Sequence, residues 1–180
     1  SKTPYRAQGD WKGRGYLTDE AIEKIKQGDS RGPATEAAPV EDEAYQDGQN
    51  LLSMIEELRR LQDDRFFLAA GFSKPHLPFN APQKYWDLYN RDEIDLADNP
   101  FVHKGLTEYS ITNFGELRNY FGIPDEGDVS EEKARELIHG YYACVSYIDS
   151  LIGKLLNELK RLGLKENTAI IMWGDHGWKL

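Results

Sequence analysis

Apolar residues recur at helical spacing in two stretches of the chain. In "DGQNLLSMIEELRRLQ", residues 47–62, Leu51, Leu52, Ile55, Leu58 and Leu61 form one stripe with a charged back, which predicts an amphipathic helix. In "DVSEEKARELIHGYYACVSYIDSLIGKLLNELKRLGL" the same period runs from Leu137 through Tyr141, Cys144, Ile148, Leu151 and Leu155 to Leu159. That spacing predicts a long helix. Asp128 and Ser130 are its N-cap candidates, with Glu131 three residues after Asp128 as in a capping box, and Gly163 is a suitable C-terminal stop.

Two further runs are apolar without a period. "FFLAAGF", residues 66–72, and "TAIIMWG", residues 168–174, are short, continuous and bounded by polar residues, which predicts strands buried on both faces of a sheet. Residues 1–45 are rich in Gly, Pro and charge and read as a largely irregular surface segment, with room for a short helix in "TDEAIEKIK". Prolines at 75, 78, 82 and 100 make residues 73–100 a long ordered loop with one turn of helix near "PQKYWDLY". A Gly- and Asn-rich segment follows, to about Asp128. The order helix, strand, loop, helix, strand predicts an α/β fold in one domain over residues 1–180, with its core portion in 46–180. Two buried strands joined by a helical crossover are expected to be parallel, with their carboxyl ends on one edge.

That edge is where open α/β sheets bind ligands. After the first run comes "SKPHLPF", with Lys74 and His76; after the second comes "GDHG", with Asp175 and His176. Together they suit a metal ion and an anionic ester: the metal neutralises substrate oxygens, Lys74 adds a point charge, and His76 hydrogen-bonds an oxygen or passes a proton. Alone, an Asp-His dipeptide is as readily a helix cap beside a packed imidazole. His103, in a polar loop, and His139, on the long helix beside "GYY", are left out of the site. Cys144 falls within an apolar helical stripe, as a small core residue does.

The 22 Lys and Arg against 31 Asp and Glu give a net charge of −9 over 180 residues, a field that repels nucleic acid and anionic lipid. An anionic substrate therefore needs a locally positive site. With Cys144 the single cysteine, an internal disulfide or thiolate cluster cannot form. No run is long and apolar enough to span a membrane, and the first ten residues lack the apolar core of a signal peptide.

"FFLAAGFSKPHLPFNAPQKYWDLY", "YYACVSYIDSLIGKLLNELKRLGLKENTAIIMWGDHGWKL" and "RGPATEAAPVEDEAYQDGQ" resemble the sulfatase family, most closely its iduronate-2-sulfatase-like branch. The resemblance covers most of the chain from about Gly32. It implies an alkaline-phosphatase-like α/β/α sandwich with a mostly parallel sheet, and hydrolysis of a sulfate ester on a sugar, glycosaminoglycan or other small sulfate ester. It also implies a divalent ion, most often Ca2+, with Asp175 and His176 as metal ligands. His76 is implied as catalytic and sulfate-binding, with Lys74 its neighbour in substrate binding. Calcium prefers oxygen ligands, so His176 binds the metal weakly or contacts the sulfate instead. A periplasmic, secreted or lysosomal address is implied as well.

Part of the family's pattern is not matched. Its nucleophile is a formylglycine made within a C/S-x-P-x-R motif, whereas Cys144 is followed by Val145, Ser146 and Tyr147. The formylglycine and the family's N-terminal acidic ligands are expected outside this segment, and Lys179 does not take the role of the family's later sulfate-contacting lysine. The segment alone is expected to be inactive. A phosphoester or phosphonoester hydrolase of the same superfamily and a non-catalytic binding module that keeps the fold are the alternatives.

Overall fold

The computed structural model describes residues 15–27 and 31–178; Lys179 and the first fourteen residues of the segment read as irregular lie outside them. A short helix, α1 (Asp19–Lys26), is capped by Thr18, whose hydroxyl accepts from the Ala21 amide. Strand β1 (Thr35–Ala38) follows, inside the segment whose composition predicts largely irregular structure and no strand. Helix α2 (Gln46–Arg60) and helix α4 (Glu131–Arg161) stand where the apolar period predicts them. Between these helices lie strand β2 (Phe79–Pro82) and the one-turn helix α3 (Gln83–Trp86).

The two ends of α4 are set by local chemistry. Ser130 is the N-cap, accepting from the Lys133 amide, with Glu131 and Glu132 in the first turn and Lys160 and Arg161 in the last, the charge order that the helix dipole favours. At the other end Gly163 takes a φ of 73°. Its amide donates to Lys160 O and the Leu164 amide donates to Leu159 O, the paired bonds that close a helix through a left-handed glycine.

The sheet is a parallel pair, β1 with β2, in register Thr35↔Phe79 through Ala38↔Pro82. Neither predicted strand forms: residues 66–72 and 168–174 have no regular secondary structure and pair with no strand among the described residues. The physical reason is the environment. A ladder requires a neighbouring backbone and a buried face requires a covering layer, whereas Phe67 is 92% exposed and Trp173 78%. The expectation that these two runs supply the parallel pair is therefore corrected; β1 and β2 supply it.

Helix α4 packs across β2, β1 and α3. Phe79, Ala81, Ala143, Cys144, Tyr147 and Leu151 are fully buried at this contact. Helices α2 and α4 run in the same direction, since the Tyr147 hydroxyl donates to Asp42 O just before α2 begins and Glu158 pairs with Arg59 near its end.

The junction of these helices is polar. Asp42, in a short 3-10 turn before α2, is 1% exposed and accepts from Lys154 Nζ (2.6 Å), Lys84 Nζ (2.8 Å) and the Tyr85 hydroxyl (2.9 and 3.0 Å). Gly48 lies against its backbone, where a Cβ would fall 1.9 Å from Asp42 O. Burial pushes the Asp42 carboxyl up, the bonds from Lys154, Lys84 and Tyr85 outweigh it, and the net direction is down. Glu36 on β1 is also buried, and its carboxylate accepts from the Leu17 and Thr18 amides, the Thr18 hydroxyl and the Tyr45 hydroxyl.

Two stability predictions come from this packing. Gly140→Ala in α4 places a Cβ 2.9 Å from both Phe79 Cβ and Trp86 Cη2; overpacking of this kind costs about 1–3 kcal/mol, against the ~1 kcal/mol that alanine normally gains in a helix. A lower urea midpoint is expected, and an unchanged or higher midpoint contradicts the close contact. Because the folded pKa of Asp42 is depressed, its contribution is fully present above the unfolded carboxyl pKa, about 3.9, and is lost as pH falls through the folded value. Asp42→Asn should lower stability at neutral pH and flatten the acid limb of a stability-against-pH curve. An acid limb as steep as that of the parent chain would refute the assignment.

Candidate functional site

The loop after the first apolar run is built on the start of α2. Asp47, 2% exposed, accepts from the Ser73 amide and hydroxyl and from the Lys74 amide. This brings the chain, after its return along residues 66–72, back to the head of the helix it left. The Lys74 ammonium turns inward and donates to His76 O (3.1 Å) and Pro78 O (2.7 Å); burial holds it below the ordinary lysine range. Lys74 thus laces the "KPHLP" loop and joins it to β2.

His76 is half exposed. Its Nδ1 lies 2.8 Å from Leu77 O, and beside a carbonyl that nitrogen must be the N–H donor. The outward nitrogen is then Nε2, 3.6 Å from Glu116 Oε2. Glu116 is shared, its other oxygen lying 3.2 Å from Arg31 Nη1.

The second loop meets the first through Trp178. Its ring stands edge-on to His76 at 6.4 Å and to Phe79 at 6.3 Å, within the range of tilted aromatic packing. Ahead of it, Asp175 Oδ1 accepts from the His176 amide (3.0 Å) and His176 Nδ1 lies 3.0 Å from Gly177 O, which leaves Nε2 as the outward nitrogen. The His176 amide, followed by the charge of His176 and, more weakly, that of His76, holds the Asp175 carboxyl below its usual range. The loop of Lys74 and His76 and the loop of Asp175 and His176 therefore meet through the Trp178–His76 ring contact, although the runs leading to them form no ladder.

The pair can contribute to a cation site without completing one. Asp175 Oδ2 and His176 Nε2 are 3.8 Å apart, a separation that two donors to one cation at about 2.3–2.6 Å can span. No group of three or more His, Cys, Asp or Glu gathers around a common point among the described residues. A calcium ion takes six to eight oxygens, so its remaining ligands would have to come from other chain segments or from water.

Residues set aside in the sequence have structural roles. His139 is buried, its Nε2 on Trp86 O (2.8 Å) and its Nδ1 accepting from Arg91 Nε (3.3 Å). His103 lies in an exposed loop. Cys144 is fully buried with Sγ 3.6 Å from Asn80 O, and burial pushes its thiol up to about 12. Sequence reasoning did not find Asp47, Glu116, Arg31 or Trp178. Of these only Trp178 carried a signal, its place directly after "DHG".

The helix-flanked parallel pair is consistent with an α/β domain, and the family match places it in the alkaline-phosphatase-like superfamily. The chain belongs to the sulfatase family, whose model, described as Sulfatase, matches residues 2–180. It is 31% identical over 145 residues to a sulfatase of Formosa agariphila, covering 80% of this chain and 28% of that protein. It is 32% identical over 142 residues to the iduronate 2-sulfatase of Homo sapiens, covering 75% and 26%. With the choline-sulfatase of Rhizobium meliloti it shares 30% identity over 128 residues, 67% and 24%. The chain spans about a quarter of the length of these curated relatives.

The burial of Cys144 yields a direct prediction. In the native protein it should resist iodoacetamide at pH 8 and react readily once urea unfolds the chain, because the thiolate is the nucleophile. Native labelling at the denatured rate would show that the thiol is accessible.

Proposed function

We propose that the complete polypeptide is a sulfuric ester hydrolase acting on a sulfated sugar or glycosaminoglycan, outside the cytoplasm. In this reading the formylglycine nucleophile and further metal ligands come from segments beyond this one. The observation that carries it is the meeting of the His76 loop with the Asp175–His176 loop across Trp178, in a chain of sulfatase sequence. The iduronate 2-sulfatase relatives supply the sugar class.

Each residue has a physical task. In the imidazolium form, with Nδ1–H kept on Leu77 O, the outward Nε2–H of His76 meets a sulfate oxygen or the bridging ester oxygen, where it donates a hydrogen bond or delivers its proton to the departing alkoxide. Lys74 adds positive charge to the loop and keeps His76 O and Pro78 O in place. Asp175 and His176 would hold a divalent ion, most consistently Ca2+, with Asp175 the stronger ligand because calcium is a hard, oxygen-seeking cation. When bound, that ion would neutralise charge on the sulfate oxygens. Trp178 closes the apolar side of His76 against water.

The test uses the complete polypeptide with a chromogenic aryl sulfate and its phosphate counterpart. His76→Ala and Asp175→Ala should each lower kcat/KM on the sulfate about 100-fold or more, the scale of a lost acid–base or metal contact, with unfolding midpoints unchanged. Sulfate should be turned over faster than phosphate. Parental rates in both folded variants would refute the site, and preference for phosphate would replace the sulfatase reading with a phosphoesterase one.

A further inference from the structure

Residues 113–127 show no apolar period, yet the segment is tightly built. Arg118 donates to Asn113 O (2.7 Å), Pro124 O (2.8 Å) and Gly127 O (2.9 Å), while Leu117 is buried in the main core. Two backbone bonds fasten the segment to the approach to β1: the Arg31 amide to Asn119 O (2.9 Å) and the Phe121 amide to Gly32 O (2.8 Å). Glu116 therefore projects from a braced position.

A carboxylate fixed beside a site for an anion needs an explanation, because like charge weakens substrate binding. Its surroundings supply one. Arg31 Nη1, 3.2 Å away, compensates one oxygen, and the other lies 3.6 Å from His76 Nε2. That gap is longer than a hydrogen bond and short enough for the carboxylate to attract the Nε2–H of the imidazolium and so govern which edge of the ring faces it. The other restraints on the ring are weaker guides: Leu77 O belongs to the same loop and moves with it, and Trp178 packs without a polar contact to the ring. Among the described residues Glu116 is the carboxylate within 4.0 Å of the ring, and Asp175 acts on it more weakly.

We propose that Glu116, anchored by Arg31, is a positioning residue that sets the direction of His76 Nε2. The inference rests on the reading that His76 meets the sulfate group. Glu116 itself touches neither substrate nor metal in this scheme; it acts through His76.

The experiment is a double-mutant cycle on the complete polypeptide with the chromogenic aryl sulfate, joined to a crystal structure of the Glu116→Ala variant. Glu116→Ala should lower kcat/KM about 10-fold at an unchanged unfolding midpoint. The same change in a His76→Ala background should have no further effect, and Glu116→Asp should restore part of the loss. In the crystal the His76 ring should occupy more than one orientation. Equal losses in both backgrounds, parental turnover by Glu116→Ala while His76→Ala is impaired, or a ring held as in the parent would each overturn the proposal. Failure of the underlying functional reading appears separately, as full turnover by His76→Ala; the ring orientation then still decides whether Glu116 aims His76.

Discussion

The structure depends on one buried carboxylate. Asp42 draws Lys84 and Tyr85 from α3 and Lys154 from α4 onto a single side chain, while its backbone carbonyl accepts from Tyr147 and abuts Gly48 at the start of α2. A carboxylate removed from water costs several kcal/mol unless its lone pairs are filled, so all three helices must stand where they do for the site to be tolerable. Asp42 thereby sets the relative placement of α2, α3 and α4. From that placement the position of the His76 loop follows, because Asp47, in the first turn of α2, holds the backbone of Ser73 and Lys74.

Polar groups carry the geometry from the core to the edge in short steps. Asp47 fixes the loop, Lys74 laces it, and the Leu77 carbonyl turns the His76 ring outward. On the other side Trp178 bridges Phe79 of the core and His76 of the loop. The result keeps an overall acidic chain from presenting a uniformly negative surface here, since the imidazole of His76 acts on Asp175 and the carboxylate of Glu116 is compensated by Arg31.

The helices were legible because a 3.6-residue period is a property of the segment itself, and the stops at Ser130 and Gly163 use side chains and dihedrals local to the chain. Strands were not legible in the same way. The sequences "TEAA" and "FNAP" of β1 and β2 carry a buried carboxylate, a buried amide and a proline, and neither looks like a strand until its partner is known. The runs "FFLAAGF" and "TAIIMWG" have the composition of strands and lack the neighbour that would make them so. The same division holds at the site. Lys74, His76, Asp175 and His176 stand out as polar residues ending apolar runs, whereas Asp47 and Glu116 act on partners distant in sequence and leave no local signature.

Two loops far apart in sequence can be brought together by a backbone ladder or by side-chain packing, and the two differ in precision. A ladder constrains each residue through repeated bonds along the strand; packing through Trp178 constrains a contact and leaves the preceding segment free to adjust. Here the runs before both loops are irregular and largely exposed, so the meeting of the two loops rests on the Trp178–His76 contact and on the anchors at Asp47 and Glu116. Catalytic constellations require placement to within about 0.5 Å. Neighbouring strands along residues 66–72 and 168–174 would convert a packed contact into a laddered one, and a covering layer would bury Phe67, Ile171 and Trp173. That couples completion of the sheet to sharpening of the site.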